Sequence, residues 1–391
     1  MRWVFILSTL TAIVPSLGGI ALARTPLANL KREVENIYIL TLKDEVALED
    51  FKPTLISGLS NPGSAVIYDL GILNALVVTL HPVDIAFVRG STDVELFEQD
   101  QIASISESFE LGSHRPQASA MPLGKRESCP EPSFIEGGGK GVTIYNIGTG
   151  VKTDHECFGG RAKWGKVFGN YNMTDDSGHG THSAGIAIGN YYGVARGANV
   201  VAIKGKWAEL SYYFGSMSNA LAGVNYACEE FKKQDFPPSI IYLPMHCGGS
   251  KAWDSAINNC AKMGMHFVVS AGNSDNDAKG YTPAQIPIAN TIGAINSTCY
   301  KAPHSNFGSI IDAHALGVDI TSAGIGPGSN ATKVASGTSL AASYVAGILA
   351  IALEKYGKMS PEDLTAALKA NAYKGALDFP ENTTADVAKL W

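Results

Sequence analysis

No two cysteines in this 391-residue chain are spaced as Cys-x-x-Cys, so the commonest zinc-holding arrangement is missing. Nor is there a basic run long enough to track a phosphate backbone or an anionic membrane. With a formal net charge of −6, nucleic acid and membrane surfaces drop out as expected partners. Beyond the N-terminal leader no apolar run is long enough to span a bilayer, and the C-terminus lacks the apolar tail of a lipid-anchor signal. Internal repeats and low-complexity tracts are absent. Charged residues make up only 17% against 45% hydrophobic, the balance of a globular chain with a large core. The length exceeds that of one typical domain, so more than one functional segment is expected.

What is present starts with an address. Arg2 precedes the apolar run Trp3–Leu10, and Ala21-Leu22-Ala23 has the small-x-small pattern of a cleavage site. Pro15, Gly18 and Gly19 interrupt the segment, which favours a signal peptide at 1–23 over an uncleaved anchor. The protein is therefore expected to be secreted and extracellular. Six cysteines (Cys129, Cys157, Cys228, Cys247, Cys260 and Cys299) fit that oxidising route, and their 15 complete pairings stay open. Sequons at Asn172, Asn296, Asn330 and Asn382 offer glycosylation sites.

The chain then divides in two. Strand-like NIYILTLKD, helix-like LEDFKPTLISGLS, strand-like ILNALVVTLHP, helix-like PVDIAFVRG and strand-like VELFEQDQIASIS belong to a small β-α-β-β-α-β sheet with two helices on one face. Residues 111–135 turn polar and rich in Pro and Gly, a linker that carries the dibasic pair Lys125-Arg126. From Gly138 onward, apolar strands (VTIYNIG, ANVVAIKG, SIIYLPM, MHFVVSAG, ANTIGAI) alternate with helices. That pattern predicts an α/β fold with a parallel sheet covered on both faces and active groups at the carboxyl ends of its strands.

Four short motifs fall at such positions. Ser339 follows a Ser-Gly-Thr turn and opens a small-residue apolar helix, where free N–H groups point outward. Taken alone it reads as an ordinary N-cap. His179 lies in DSGHGTHSAG at a helix entry, and Asn273 ends SAGN just past a strand. The fourth motif, IYNIGTG at 144–150, closes the first strand of the large domain. A serine becomes a nucleophile when a base takes its proton, and a developing oxyanion needs donors aimed at it.

GHGTHSAG and SGTSLA, in that order and about 160 residues apart, resemble the subtilisin-like serine peptidases, particularly the secreted proteinase K-like group of fungi. The resemblance implies a subtilisin-like parallel sheet preceded by a small α+β inhibitor-like propeptide. Its domains would be a propeptide at 24–126, with the inhibitor-like part at about 36–110, and a subtilase-like domain at 127–391. It implies His179 as general base, Ser339 as nucleophile and Asn273 as oxyanion donor. It also implies a substrate-lining segment at Met245-His246-Cys247-Gly248, with Cys247 adding bulk beside Gly248. No cofactor is required, but a structural Ca²⁺ held by Asp312 and the carbonyls of Pro287 and Ala289 fits the family pattern.

The chain departs from that pattern at one place above all. Active members end the first strand in Asp-Thr-Gly, and this sequence reads Gly148-Thr149-Gly150. Without the aspartate the histidine loses its tautomer lock and counter-charge. In subtilisin, losing that aspartate alone costs about 3 × 10⁴ in kcat, or roughly 6 kcal/mol. After Ser339 the sequence also reads Leu-Ala-Ala-Ser-Tyr where the family has Met-Ala-Thr-Pro-His. Asp175, Asp176 and the uncharged Asn146 are the near groups that could stand in for the missing carboxylate. Three readings follow: a pseudopeptidase that binds a protein or peptide ligand or its own propeptide in the cleft; a slow serine endopeptidase; and a fold recruited to another acyl transfer. The dibasic pair offers a processing site that needs no self-cleavage.

Overall fold

The computed structural model describes residues 33–105, 129–130, 133–205 and 214–391; the leader at 1–23 and the pair Lys125-Arg126 lie outside the described residues. The small unit comprises β1 (Glu33–Leu42), α1 (Leu48–Gly58), β2 (Ala65–Leu70), β3 (Ala75–Thr79), α2 (Pro82–Arg89) and β4 (Val94–Ile105). Its antiparallel strands run in the order β4-β1-β3-β2. Successive side chains on a strand point to opposite faces, and the two faces here have different partners. Leu40, Leu76 and Val78 pack with Phe51 and Leu55 of α1. Ile39, Ala75 and Val77 face the other way, into a core shared with the large unit.

The large unit begins with β5 (Thr143–Gly148), β6 (Ala162–Val167), α3 (His179–Ile188), β7 (Asn199–Lys204), β8 (Phe214–Ser216) and α4 (Met217–Lys233). It continues through β9 (Ser239–Leu243), β10 (Met245–Gly248), α5 (Lys251–Lys262), β11 (His266–Ser270), β12 (Tyr281–Thr282), β13 (Asn290–Ile295) and β14 (Ala313–Leu316). The hairpin β15 (Ile320–Ala323) and β16 (Thr332–Ala335), then α6 (Thr338–Tyr356), α7 (Pro361–Asn371), β17 (Tyr373–Lys374) and β18 (Asp386–Val387) complete it. Nine strands form one sheet in the order β17-β18-β14-β13-β11-β9-β5-β7-β6. Every neighbouring pair is parallel except β17 with β18. The strand order reverses at β5, which has β7 on one side and β9 on the other, and such a switch point opens a crevice at the strand ends.

Side-chain parity on β5 decides what faces that crevice. Ile144 packs with α3 and α6, whereas Tyr145 and Ile147 pack with α4 and α5. Asn146 and Gly148, two and four residues beyond Ile144, therefore belong to the α3/α6 face. Against the expectation that no run beyond the leader is long enough to span, α6 is the one helix among the described residues with the length and apolarity to cross a membrane, but the core encloses it on nearly all sides. Cys129–Cys299 and Cys228–Cys260 are bridged, and Cys157 and Cys247 are free and buried. Neither bridge involves the small unit, so among the described residues its hold on the large unit is non-covalent.

That hold has three parts. The end of β4 lies between β8 and β10 as an antiparallel strand, with Ile102 opposite Ser216, Ser104 opposite His246 and Ile105 opposite Met245. Two carboxylates of β4 cap two helices of the large unit. Asp100 accepts from the Ser218 N–H (2.9 Å) and from the hydroxyls of Ser216 and Ser218 at the start of α4. Glu98 accepts from Ser250 Oγ and from the N–H groups of Lys251 and Ala252 at the start of α5. A helix start leaves N–H groups without partners and carries partial positive charge, so each carboxylate meets a complementary site. Away from the strand, Tyr68 Oη donates to Asn219 Oδ1 and accepts from the Gly169 N–H.

Replacing Asp100 with alanine should lower unfolding stability by about 1–3 kcal/mol, because it strips a charged acceptor from a buried helix start. Denaturant unfolding of the full chain reads this as a lower midpoint, and an unchanged midpoint would mean the cap contributes nothing to docking.

Candidate functional site

His179 is the first residue of α3, and the turn before it is built to deliver it. Asp175 accepts from the N–H groups of Gly178 and Thr181 (both 2.9 Å) and from Thr181 Oγ1 (2.5 Å). Thr149, in the loop after β5, donates its hydroxyl to Asp175 (2.8 Å) and accepts from the Gly180 N–H (2.9 Å). Only glycine serves at 180, since a Cβ there would come within 2.0 Å of the Gly150 carbonyl. The end of β5 and the start of α3 are thus closed onto each other.

Ser339 is the second residue of α6, and Asn273 is fixed against the same helix start. Asn273 Oδ1 accepts from the Thr338 N–H (2.9 Å) and hydroxyl (2.8 Å). Its Nδ2 is buried and has no partner. An amide anchored through its oxygen presents its donor side to an incoming group, the geometry of an oxyanion donor. Tyr242 on β9 links the two helices, its hydroxyl 2.8 Å from the Ser339 carbonyl and 3.2 Å from Ser183 Oγ. Ser183 Oγ in turn donates to the His179 carbonyl at 2.8 Å. The backbones of His179 and Ser339 are therefore held side by side.

Their side chains make no such link. Both His179 ring nitrogens and Ser339 Oγ are buried without a hydrogen-bond partner. Burial pushes the His179 imidazole down to about 3, and repulsion from His182 and Lys333 acts the same way. The groups that might have stood in as a carboxylate partner are engaged elsewhere. Asp175 is saturated by the turn just described, and burial raises its pKa. Asp176 pairs with Lys204 Nζ at 2.9 Å. Asn146 donates Nδ2 to the Gly180 carbonyl (3.1 Å), and its Oδ1 is buried with no partner. At Gly148 a Cβ would meet nothing closer than Asn146 Oδ1 at 3.8 Å and Pro244 at 3.9 Å, so a side chain has room there.

The remaining expected residues fall in two places. Cys247 and Gly248 are on β10, whose edges carry β4 and β12. The Cys247 thiol is buried 3.6 Å from Met217 Sδ and 3.7 Å from the Thr282 carbonyl, and burial drives its pKa far up. Asp312 lies just before β14, away from the helix starts, with Pro287 and Ala289 in the loop before β13. One of its carboxylate oxygens accepts the Thr291 N–H (2.8 Å), and the other receives Lys369 Nζ at 2.6 Å. Calcium wants six to eight oxygen ligands around a free position, so an ammonium at contact distance makes this set a poor fit for the ion. The orienting residues Thr338, Tyr242 and Thr149 went unremarked in the sequence. Only Thr149 and Thr338 carried a signal, as neighbours inside the motifs.

Residues 139–387 match the Subtilase family of peptidases. The chain belongs to that family. The subtilisin-like serine protease Cla h 9.0101 of Davidiella tassiana is 37% identical over 323 residues, covering 76% of this chain but only 61% of its own length. Subtilisin-like protease 4 of Arthroderma gypseum is 32% identical over 328 residues, 80% of each chain. The crystal structure of a cold adapted subtilisin-like serine proteinase superposes with a TM-score of 0.59 at 33% identity, covering 68% of this chain and 93% of that one. As a subtilase, the chain has the expected α/β fold with its mostly parallel sheet.

Buried and half-buried histidines, His179 of the site and five others across the large unit, set an acid limit on the fold. His179 is held at about 3, and His182, His246, His266, His304 and His314 at about 4, all by burial, against a usual 6.5. Each binds its proton more readily when unfolded, so stability is full above pH 6.5 and lost as pH falls toward 4. Asp100, Asp175, Asp254 and Asp312, raised by burial, oppose this but are fewer. The thermal midpoint should fall steadily between pH 6.5 and 4.5, and a flat profile would show these rings to be hydrated in solution.

Proposed function

We propose that this subtilase is a secreted pseudopeptidase, which binds an extended peptide strand in its cleft and does not turn it over efficiently. The observation that carries the reading is the fully buried His179, with neither ring nitrogen partnered and Gly148 where a carboxylate would have to arise. A base without a counter-charge is poorly able to accept the serine proton, because the imidazolium it forms is buried and unpaired. The docked β4 strand supports the binding half of the reading, since its backbone pairs with both β8 and β10 as an added strand does. The natural first ligand is thus the chain's own segment 33–105. Its release would follow cleavage at Lys125-Arg126, with Cys129 still tied to Cys299. Exposed Asn172, Asn330 and Asn382 are the sequons best placed for glycosylation on a secretory route.

A second reading, slow hydrolysis through Ser339, draws on the anchored Asn273 amide, which is positioned as an oxyanion donor. Peptide hydrolysis by the processed protein, by Gly148→Asp and by the double variant Gly148→Asp/Ser339→Ala separates the two. Binding without turnover predicts no Ser339-dependent hydrolysis in the native protein and a gain on the order of 10⁴ for Gly148→Asp, lost again in the double variant. Ser339-dependent turnover by the native protein would favour the second reading instead.

A further inference from the structure

The Asp312 carboxylate is nearly buried, its side chain only 9% exposed. It is fixed between β13 and β14: Thr291 donates its N–H to one oxygen, and the Asp312 N–H donates to the Thr291 carbonyl (2.9 Å). A buried carboxylate with one free oxygen needs a positive charge, and the position beside it is filled by Lys369 Nζ at 2.6 Å. The lysine side chain is 46% exposed, but the helix it comes from is anchored. The lysine leaves the last turn of α7, a helix that Leu364 and Leu368 bury in the main core. Thr365, one turn earlier, donates its hydroxyl to Asn290 Oδ1 (3.0 Å), next to Thr291. The helix start is capped by Ser360, whose side chain accepts the Asp363 N–H. The helix that carries the lysine is thus fixed, and the ammonium itself is held by its contact with Asp312.

We propose that Lys369 takes the place of a calcium ion at this site. Of the calcium set that the resemblance implies (Asp312 with the carbonyls of Pro287 and Ala289), the carboxylate is already neutralised by a covalently tethered cation. A divalent ion cannot approach Asp312 without displacing an ammonium of like charge. The tether also pins α7 across the ends of β13 and β14, a job that in a metal-dependent fold would vary with free calcium. The protein would then hold its shape in calcium-poor surroundings.

Thermal unfolding of the full chain tests this, comparing calcium chloride with a chelator. The native protein should show the same midpoint in both. Lys369→Ala should unfold several degrees lower in chelator and recover part of the loss on saturable addition of calcium, a recovery abolished in Lys369→Ala/Asp312→Asn. Lys369→Arg should stay close to the native protein. A native midpoint that rises saturably with calcium and loses that rise in Asp312→Asn would overturn the proposal. So would a Lys369→Ala protein that loses nothing in chelator, or one whose loss calcium does not restore. Should Lys369→Ala fail to fold, the native and Asp312→Asn titrations still decide whether calcium reaches the site.

Discussion

Asp175 accepts five hydrogen bonds, from the Thr149 hydroxyl, from the N–H groups of Ser177, Gly178 and Thr181, and from the Thr181 hydroxyl. Through them it joins the end of the central strand to the first turn of the histidine-bearing helix. The same saturation removes it as a partner for His179. With Asp176 drawn to Lys204, neither neighbouring carboxylate is left to orient the imidazole. Gly148 ends the first strand on the α3/α6 face by the parity of β5 and brings no carboxylate there, which is what the proposed reading rests on. Around Gly148 the scaffold is tightly held: Asn273 is anchored, Tyr242 spans the two helices, and Gly180 allows the close approach of the Gly150 backbone.

The second organising contact is the β4 strand. Its last residues complete a sheet with β8 and β10, and its two carboxylates finish helices α4 and α5. Ile39, Ala75 and Val77 extend the core of the large unit into the small one. The apolar contact is non-directional, whereas strand pairing and caps fix one register. While the small unit is docked, the paired edges of β8 and β10 are taken by β4.

Much of this was legible in the sequence. Alternation marked β1, short apolar runs marked β3, β5, β7, β9, β11 and β13, and the long small-residue run marked α6 as a buried helix. GHGTHSAG and SGTSLA singled out His179 and Ser339 through their resemblance to a family, since Ser339 taken alone reads as an ordinary N-cap. The short strands were not legible: β2 alternates only weakly in burial, and β8, β10 and β12 are two to four residues long and exist through their partners. Nor could spacing alone show that Asp175 is fully engaged or that Lys369, 57 residues beyond Asp312, is its counter-ion. The two disulfides were one pair of answers among many equally open pairings.

The central claim is that no carboxylate among the described residues meets His179. Nuclear magnetic resonance of the protein carrying ¹⁵N-labelled histidine tests it most directly, with His179→Gln to assign the ring signals. The account predicts a ring that stays neutral down to about pH 4 and shows no strongly downfield Nδ1 proton. A downfield Nδ1 proton, or a His179 that takes up its proton near pH 7, would reveal a carboxylate partner and contradict it.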